Sequence, residues 1–188
     1  MPEHLTKNRK IVVTGSRSVG KTAVTIQFTE SRFVENYDPT IENTFKKKIN
    51  HRGTTYLTDI VDTAGQDQFS IFQPRYAVGV DGYILVYNVA NRSSFDMIRI
   101  LNDKILTETG SDQVPRIIVG NKTDLGPKQR KVETAEAQQL ARDLGCDFIE
   151  SSAKNNEHVT EIFSVLLDRI EGFMVPQVKE SNNACIIA

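Results

Sequence analysis

The sequence predicts an α/β fold, an open and mostly parallel sheet with helices on both faces. Three observations predict it. Short runs of consecutive apolar residues recur along the chain, as strands covered on both sides require. Stripes of helical period lie between and after them. The polar motifs that carry chemistry stand directly after the apolar runs, where such sheets bind ligands.

The first strand is Ile11-Val12-Val13, followed by a glycine-bearing loop and a helix-compatible segment from Thr22 to Glu30. From Asn43 to Val61 the pattern is a hairpin turning near Arg52-Gly53, with Lys46-Lys47-Lys48 in its first strand. A lysine run there blunts an exposed sheet edge, or else forms a patch for acidic partners. Tyr83-Ile84-Leu85-Val86-Tyr87 and Ile117-Ile118-Val119 are further buried strands, and Phe148-Ile149 is a short final one. Ala137, Leu140, Ala141 and Leu144 form one helical stripe; Val159, Ile162, Phe163, Leu166, Leu167 and Ile170 form a longer one. The domain is expected over residues 1–175, with a polar, flexible tail over 176–188.

The 188 residues fit one domain. Lys plus Arg number 23 against 24 Asp plus Glu, which is not the basic footprint of a nucleic-acid binder. The two cysteines, Cys146 and Cys185, have no metal spacing and suggest no disulfide framework, so a reducing compartment is expected. Cys146 reads as a packed core thiol. No apolar stretch approaches the ~18 residues of a membrane span, so membrane contact would need an attached lipid.

Gly15-Ser16-Arg17-Ser18-Val19-Gly20-Lys21-Thr22 fits G-x-x-x-x-G-K-[ST] in full, between a strand and a helix. Its glycines let backbone N–H groups converge on anionic oxygens, and the helix that follows adds its positive end. Lys21 brings a full charge to the β and γ phosphates. The Thr22 hydroxyl is a hard oxygen ligand suited to Mg²⁺. The motif specifies a nucleoside triphosphate but not the base.

Asn121-Lys122-Thr123-Asp124 ends the strand at Ile117-Ile118-Val119. One carboxylate, that of Asp124, can accept both N–H donors of guanine. Adenine offers no such pair. Asn121 can bond the base edge and tie loops together, while the Lys122 stem can lie along the ring. Ser151-Ser152-Ala153-Lys154 is positioned to offer a backbone N–H to guanine O6; standing alone it would be an ordinary helix-capping turn.

Asp62-Thr63-Ala64-Gly65-Gln66 follows the strand ending Ile60-Val61. Asp62 there can hold a metal-bound water, Gly65 can bring its N–H to the γ phosphate, and Gln66 can orient water. Upstream, Thr40 in the polar loop Tyr37-Asp38-Pro39-Thr40 is a second candidate Mg²⁺ ligand.

Together these residues resemble the Ras superfamily of small GTPases, over a stretch from about Lys10 to about Phe173 and again at the closing tetrapeptide. Within it the chain is similar to the Rheb family. Arg17-Ser18 stands where Ras proteins carry two glycines. Tyr37 to Phe45 matches the first switch, and Asp67 to Phe72 matches the second except at Gln68 and Phe69. The resemblance implies a P-loop NTPase G domain: six strands, one of them an antiparallel edge, five helices and two switch loops. It implies GTP and GDP as ligands with Mg²⁺, held by Thr22 and Thr40 and, through water, by Asp62. Nucleotide contacts fall to Arg17, Ser18, Val19, Gly20, Lys21, Thr22 and Ala23. Phe33, Tyr37, Asp38, Thr40 and Gly65 join them from the switch side, and Asn121, Lys122, Asp124, Ser152, Ala153 and Lys154 from the base side. Gln66, Lys21 and Tyr37 are the implied catalytic residues.

The same resemblance implies activation of the TOR kinase complex in growth and nutrient signalling, and a tuberin-type activating partner that supplies an asparagine. Hydrolysis is expected to be slow, because Arg17 lies near the place where Gln66 would enter. A permanently GTP-loaded binding module and an ATP-using P-loop enzyme are the competing readings; Asn121 and Asp124 argue against the second. Cys185-Ile186-Ile187-Ala188 fits C-a-a-X with a small last residue, which favours farnesylation of Cys185. Without a basic cluster or second cysteine nearby, weak attachment to the cytoplasmic face of internal membranes is expected, with a cytosolic pool. A monomer is expected.

Overall fold

In the computed structural model, residues 5–35 and 41–172 are described. Tyr37, Asp38, Thr40, Cys185 and the expected tail therefore lie outside the described residues. Six strands form one sheet: β1 Thr6–Gly15, β2 Glu42–His51, β3 Thr54–Thr63, β4 Gly82–Asn88, β5 Arg116–Asn121 and β6 Asp147–Ser151. Their order is β2-β3-β1-β4-β5-β6, and all pairs are parallel except β2 with β3. The antiparallel edge strand is thus where the hairpin pattern put it. Arg52 (φ 47°) and Gly53 (φ 77°) both turn left-handed, the geometry a two-residue hairpin loop needs.

Among the described residues there are four α-helices: α1 Lys21–Glu30, α2 Arg92–Thr109, α3 Thr134–Leu144 and α4 Val159–Ile170. The expected fifth is not among them. The second-switch segment carries only a short 3₁₀ turn, Pro74–Tyr76. Pro74 stands at the first position of that turn, after an extended Gln73 (φ −76°, ψ 137°).

Alternation along the strands divides the core in two. Val12, Tyr83, Leu85 and Tyr87 face α2 and α3, meeting Ile98, Leu101 and Leu140. Ile11, Val13, Ile84 and Val86 face α1 and α4, meeting Val24, Phe28 and Phe163. Each such buried side chain contributes about 1.5–3 kcal/mol. Phe28 stacks on Phe163 with centroids 3.7 Å apart, fixing α1 against α4. The lysine run divides too. Lys46 and Lys48 are exposed on the edge strand, whereas Lys47 turns in and donates to Thr29 O (2.9 Å), a last-turn carbonyl of α1.

The hairpin is tied to α4 by Asp168, which accepts from Arg52 Nε (2.6 Å) and Nη2 (3.0 Å) and meets His51 Nε2 (2.7 Å). These partners, Arg52 first, hold the Asp168 carboxyl below its usual 3.8. A carboxylate depressed by folding stabilises above its unfolded value and loses that stabilisation as pH falls through its folded value. Urea midpoints measured from neutral pH down through 3.8 should therefore fall more steeply for the wild type than for Asp168→Asn. Parallel curves would show that the cluster carries no acid-dependent stability.

Candidate functional site

The carboxyl ends of β1, β3, β5 and β6 open onto one cleft of about 900 Å³, a size that suits a nucleotide-scale ligand. At one end β1 runs into the phosphate loop. Ser18 (φ 59°) and Gly20 (φ 98°) curl the backbone left-handed before α1 begins at Lys21. The Lys21 ammonium is buried and donates to Gly15 O (3.1 Å) and Ser16 O (2.9 Å). Burial pulls its pKa down to about 8, against an opposing pull from the Asp62 charge. Asp62, fully buried at the end of β3, accepts from the Thr22 hydroxyl at 2.6 Å. Burial raises its pKa, and the Thr22 bond and Lys21 oppose that. Its other oxygen, Oδ1, is buried with no hydrogen-bond partner among the described residues.

These features fit a magnesium triphosphate. A buried ammonium and a run of curled amides call for anionic oxygens, and an orphaned carboxylate oxygen calls for a donor such as a metal-bound water. No cluster of three or more His, Cys, Asp or Glu that could hold a metal occurs among the described residues. Mg²⁺ needs none, since it keeps several waters and shares its remaining positions between few protein oxygens and phosphates.

At the other end, Asn121 ties three loops. Its Nδ2 donates to Val19 O (3.0 Å), and its Oδ1 accepts from Ala153 N (3.2 Å) and from Ser151 Oγ (3.4 Å). The Ala153 N–H therefore reaches a base oxygen only by sharing that bond. Ser152 Oγ donates to Asp124 Oδ1 (2.6 Å), which orients a carboxylate that lines the cleft. Lys122 stands in left-handed backbone (φ 71°), half-buried along the wall, and burial lowers its pKa.

Ser18, Gly20, Lys21, Thr22, Ala23, Phe33, Gly65, Asn121, Lys122, Asp124, Ala153 and Lys154 all line this cleft, as the sequence implied. Two expected contacts act from behind it. Val19 buries its side chain in the α1–α4 core, and its carbonyl accepts from Asn121. Ser152 is buried beneath Asp124. The cleft also takes in Ile26, Val34, Ile41 and Leu125, which sequence reasoning missed. Leu125, next to Asp124, was the most accessible of these to inference, as an apolar residue in an otherwise polar turn.

The second switch meets the phosphate loop through Gly65. A Cβ there would lie 2.7 Å from Arg17 Cα and 2.9 Å from Arg17 Cβ, so only glycine permits this approach. Gln66 is held by its N–H to Gly15 O (3.0 Å), and its side chain folds back, Nε2 donating to Ala64 O (3.0 Å). Neither Gln66 nor Arg17 lines the cleft.

The model of the Ras family matches residues 10–172. A fungal relative, the small monomeric GTPase RhbA of Aspergillus fumigatus, is 47% identical over 181 residues, covering 96% of this chain and 97% of its own. GTP-binding protein rhb1 of Schizosaccharomyces pombe is 46% identical, covering 97% and 98%. GTP-binding protein Rheb of Homo sapiens is 47% identical, covering 87% of each chain. A phosphate loop and an Asn-Lys-Thr-Asp segment share one cleft, and GTP-binding relatives match nearly the whole sequence: the chain belongs to the Ras family, as a Rheb-like small GTPase that binds GTP and GDP with Mg²⁺ and cleaves GTP.

Proposed function

We propose that this GTPase is a slow switch that reports bound GTP through its two switch segments and, in the GTP state, activates the TOR kinase complex. One observation carries the slow-switch reading: Arg17 packs on Gly65 while Gln66 turns its amide back onto Ala64. Lys21 and the loop amides take the charge of the β and γ phosphates, and Asp124 with Asn121 holds guanine. Phe33 covers the base edge. Gly65 and, from the first switch, Thr40 contact the γ phosphate, and Tyr37 and Asp38 join the nucleotide contacts, Tyr37 also as a catalytic residue. The Thr22 and Thr40 hydroxyls and, through water, Asp62 would hold Mg²⁺, which would supply positive charge against the transferred group.

Hydrolysis then needs a placed water and little else from the protein. Gln66 reaches that water only by releasing Ala64 and passing the Arg17 side chain. Ras-type domains turn over unaided at roughly 10⁻⁴ to 10⁻³ s⁻¹, and this chain belongs at or below that range. An activating partner of the tuberin type, bringing an asparagine, bypasses the obstructed glutamine. Removing the obstacle with Arg17→Gly should raise single-turnover hydrolysis roughly tenfold, about 1.4 kcal/mol of barrier. An unchanged rate would refute obstruction and favour a chain that simply stays loaded with GTP.

Loss of the γ phosphate frees Thr40 and Gly65, and the segments they anchor relax. Those segments present Ile41, Phe69 and Ile71 to solvent, each more than four-fifths exposed. Apolar groups displayed on loops that respond to the nucleotide suit a nucleotide-dependent partner surface.

A single farnesyl group on Cys185 places the protein on internal membranes in exchange with cytosol, since even a myristoyl chain binds with only about 10⁴ M⁻¹. A fluorescent reporter fused to residues 176–188 should distribute between internal membranes and cytosol. Tight retention at the cell edge would exclude this localisation.

A further inference from the structure

The two segments that read the base come from different strands, β5 and β6, and little of the backbone ladder continues past Asn121 and Ser151, the last paired residues. Beyond them, one side-chain cluster behind the cleft spans the gap. Arg130, in the loop that follows Asp124, donates from Nη1 to Glu150 Oε1 (2.7 Å) and from Nη2 to Glu150 Oε2 (3.0 Å). Thr134, at the start of α3, donates its hydroxyl to Glu150 Oε1 (3.0 Å). Glu150 immediately precedes Ser151-Ser152-Ala153-Lys154 and is paired in register with Gly120, which immediately precedes Asn121. The Arg130 and Glu150 side chains are 18% and 19% exposed, so water screens this bidentate pair weakly.

The Arg130 loop is fastened on its other side as well. Lys131 N and Val132 N both donate to Val89 O (2.9 and 3.1 Å), and Val89 N donates to Asn121 O (3.1 Å). The bonds therefore run from Asn121 through Val89 to the Arg130 loop, and from there through Glu150 to the Ser152–Asp124 contact.

We infer that Arg130 and Glu150 are a positioning pair for base recognition, setting the spacing between the Asn121–Asp124 wall and the Ser151–Lys154 turn so that both N–H donors of guanine are met together. Neither residue touches the cleft; the pair acts through Asp124 and Ser152. A geometric error of this kind is costly because two hydrogen bonds to one rigid ring must form at once. The inference rests on the reading of Asp124 as the acceptor for guanine.

The test compares dissociation of GDP and IDP from the full-length protein. Inosine lacks the exocyclic amine, so it can give Asp124 only one of the two bonds. Wild type should release IDP much faster than GDP. Arg130→Met should release GDP about tenfold faster, while IDP release changes far less, so the GDP–IDP difference narrows. Single-turnover hydrolysis of bound GTP should stay at the wild-type rate. Arg130→Lys, which keeps charge but loses the fork, should fall between, and the exchanged pair Arg130→Glu with Glu150→Arg should recover part of the difference. Thr134→Val, which leaves the ion pair intact, guards against misfolding and should show a smaller shift in the same direction. Equal acceleration for GDP and IDP, or no acceleration, would overturn the positioning role. A wild type that holds both nucleotides alike would instead overturn the reading of Asp124, and the inference with it.

Discussion

Asp124→Asn should exchange a preference for guanine for one for xanthine. The carboxylate can accept the two guanine N–H donors, with Ser152 Oγ already satisfying part of Oδ1 (2.6 Å). The amide puts a donor where an acceptor was needed, so one guanine donor faces another. Xanthine presents a carbonyl at that position and restores the match. A site built to hydrogen-bond one group rejects its mismatch by about 10⁴-fold, so GTP affinity should fall by that order while XTP affinity rises. Competition between GTP and XTP for the purified protein measures both. GTP affinity that survives the substitution would mean that the base is read elsewhere.

Gly15→Ala should have the second large effect, on the fold and the site together. Gly15 is the last residue of β1 and stands beside Val86 of β4. An added Cβ would overlap Val86 O, lie 3.2 Å from the Val86 carbonyl carbon and 3.3 Å from Val19 Cγ2, in backbone with φ 152°. The obstacle is backbone of a central strand, which cannot step aside, so β1 and β4 must separate locally. A cost of about 4 kcal/mol is the expected scale for such an insertion. The Gly15 carbonyl also receives Lys21 Nζ (3.1 Å) and Gln66 N (3.0 Å), so displacing it moves the phosphate lysine and the second switch at once. Thermal unfolding with and without added GDP should show a lowered midpoint that the nucleotide rescues poorly. A variant that melts and binds like wild type would contradict the packing described at this strand end.

The parts of the site legible in the sequence were those whose chemistry is concentrated in a few adjacent residues. Gly15 to Thr22 and Asn121 to Asp124 each carry a function in one short run, and strands such as Tyr83–Tyr87 are apolar without interruption. What escaped was distributed or overridden. The longest helix, α2, has a stripe of Phe95, Ile98, Leu101 and Ile105, but Asn102 is buried within it and charged residues crowd its outer face. Periodicity alone did not mark it. The fifth helix implied by resemblance is absent among the described residues, where the second switch keeps only the turn Pro74–Tyr76. The roles of Val19 and Ser152 as supports depend on which way a side chain turns, which a motif does not state. Arg130 and Glu150 lie 20 residues apart and meet only because β6 returns beside β5.

The strand order β2-β3-β1-β4-β5-β6 also bears on how this protein is made. As the chain leaves the ribosome, β1 emerges first yet has no neighbour until β3 and β4 follow, whereas β2 and β3 can pair as soon as they appear. The base wall is finished only when Lys154 has been synthesised. Nucleotide stabilises only a state that binds it, so it cannot assist the first four-fifths of the nascent chain. Until β4 has emerged, the phosphate loop rests on the pairing of β1 with β3 and on whatever shields the other edge of β1.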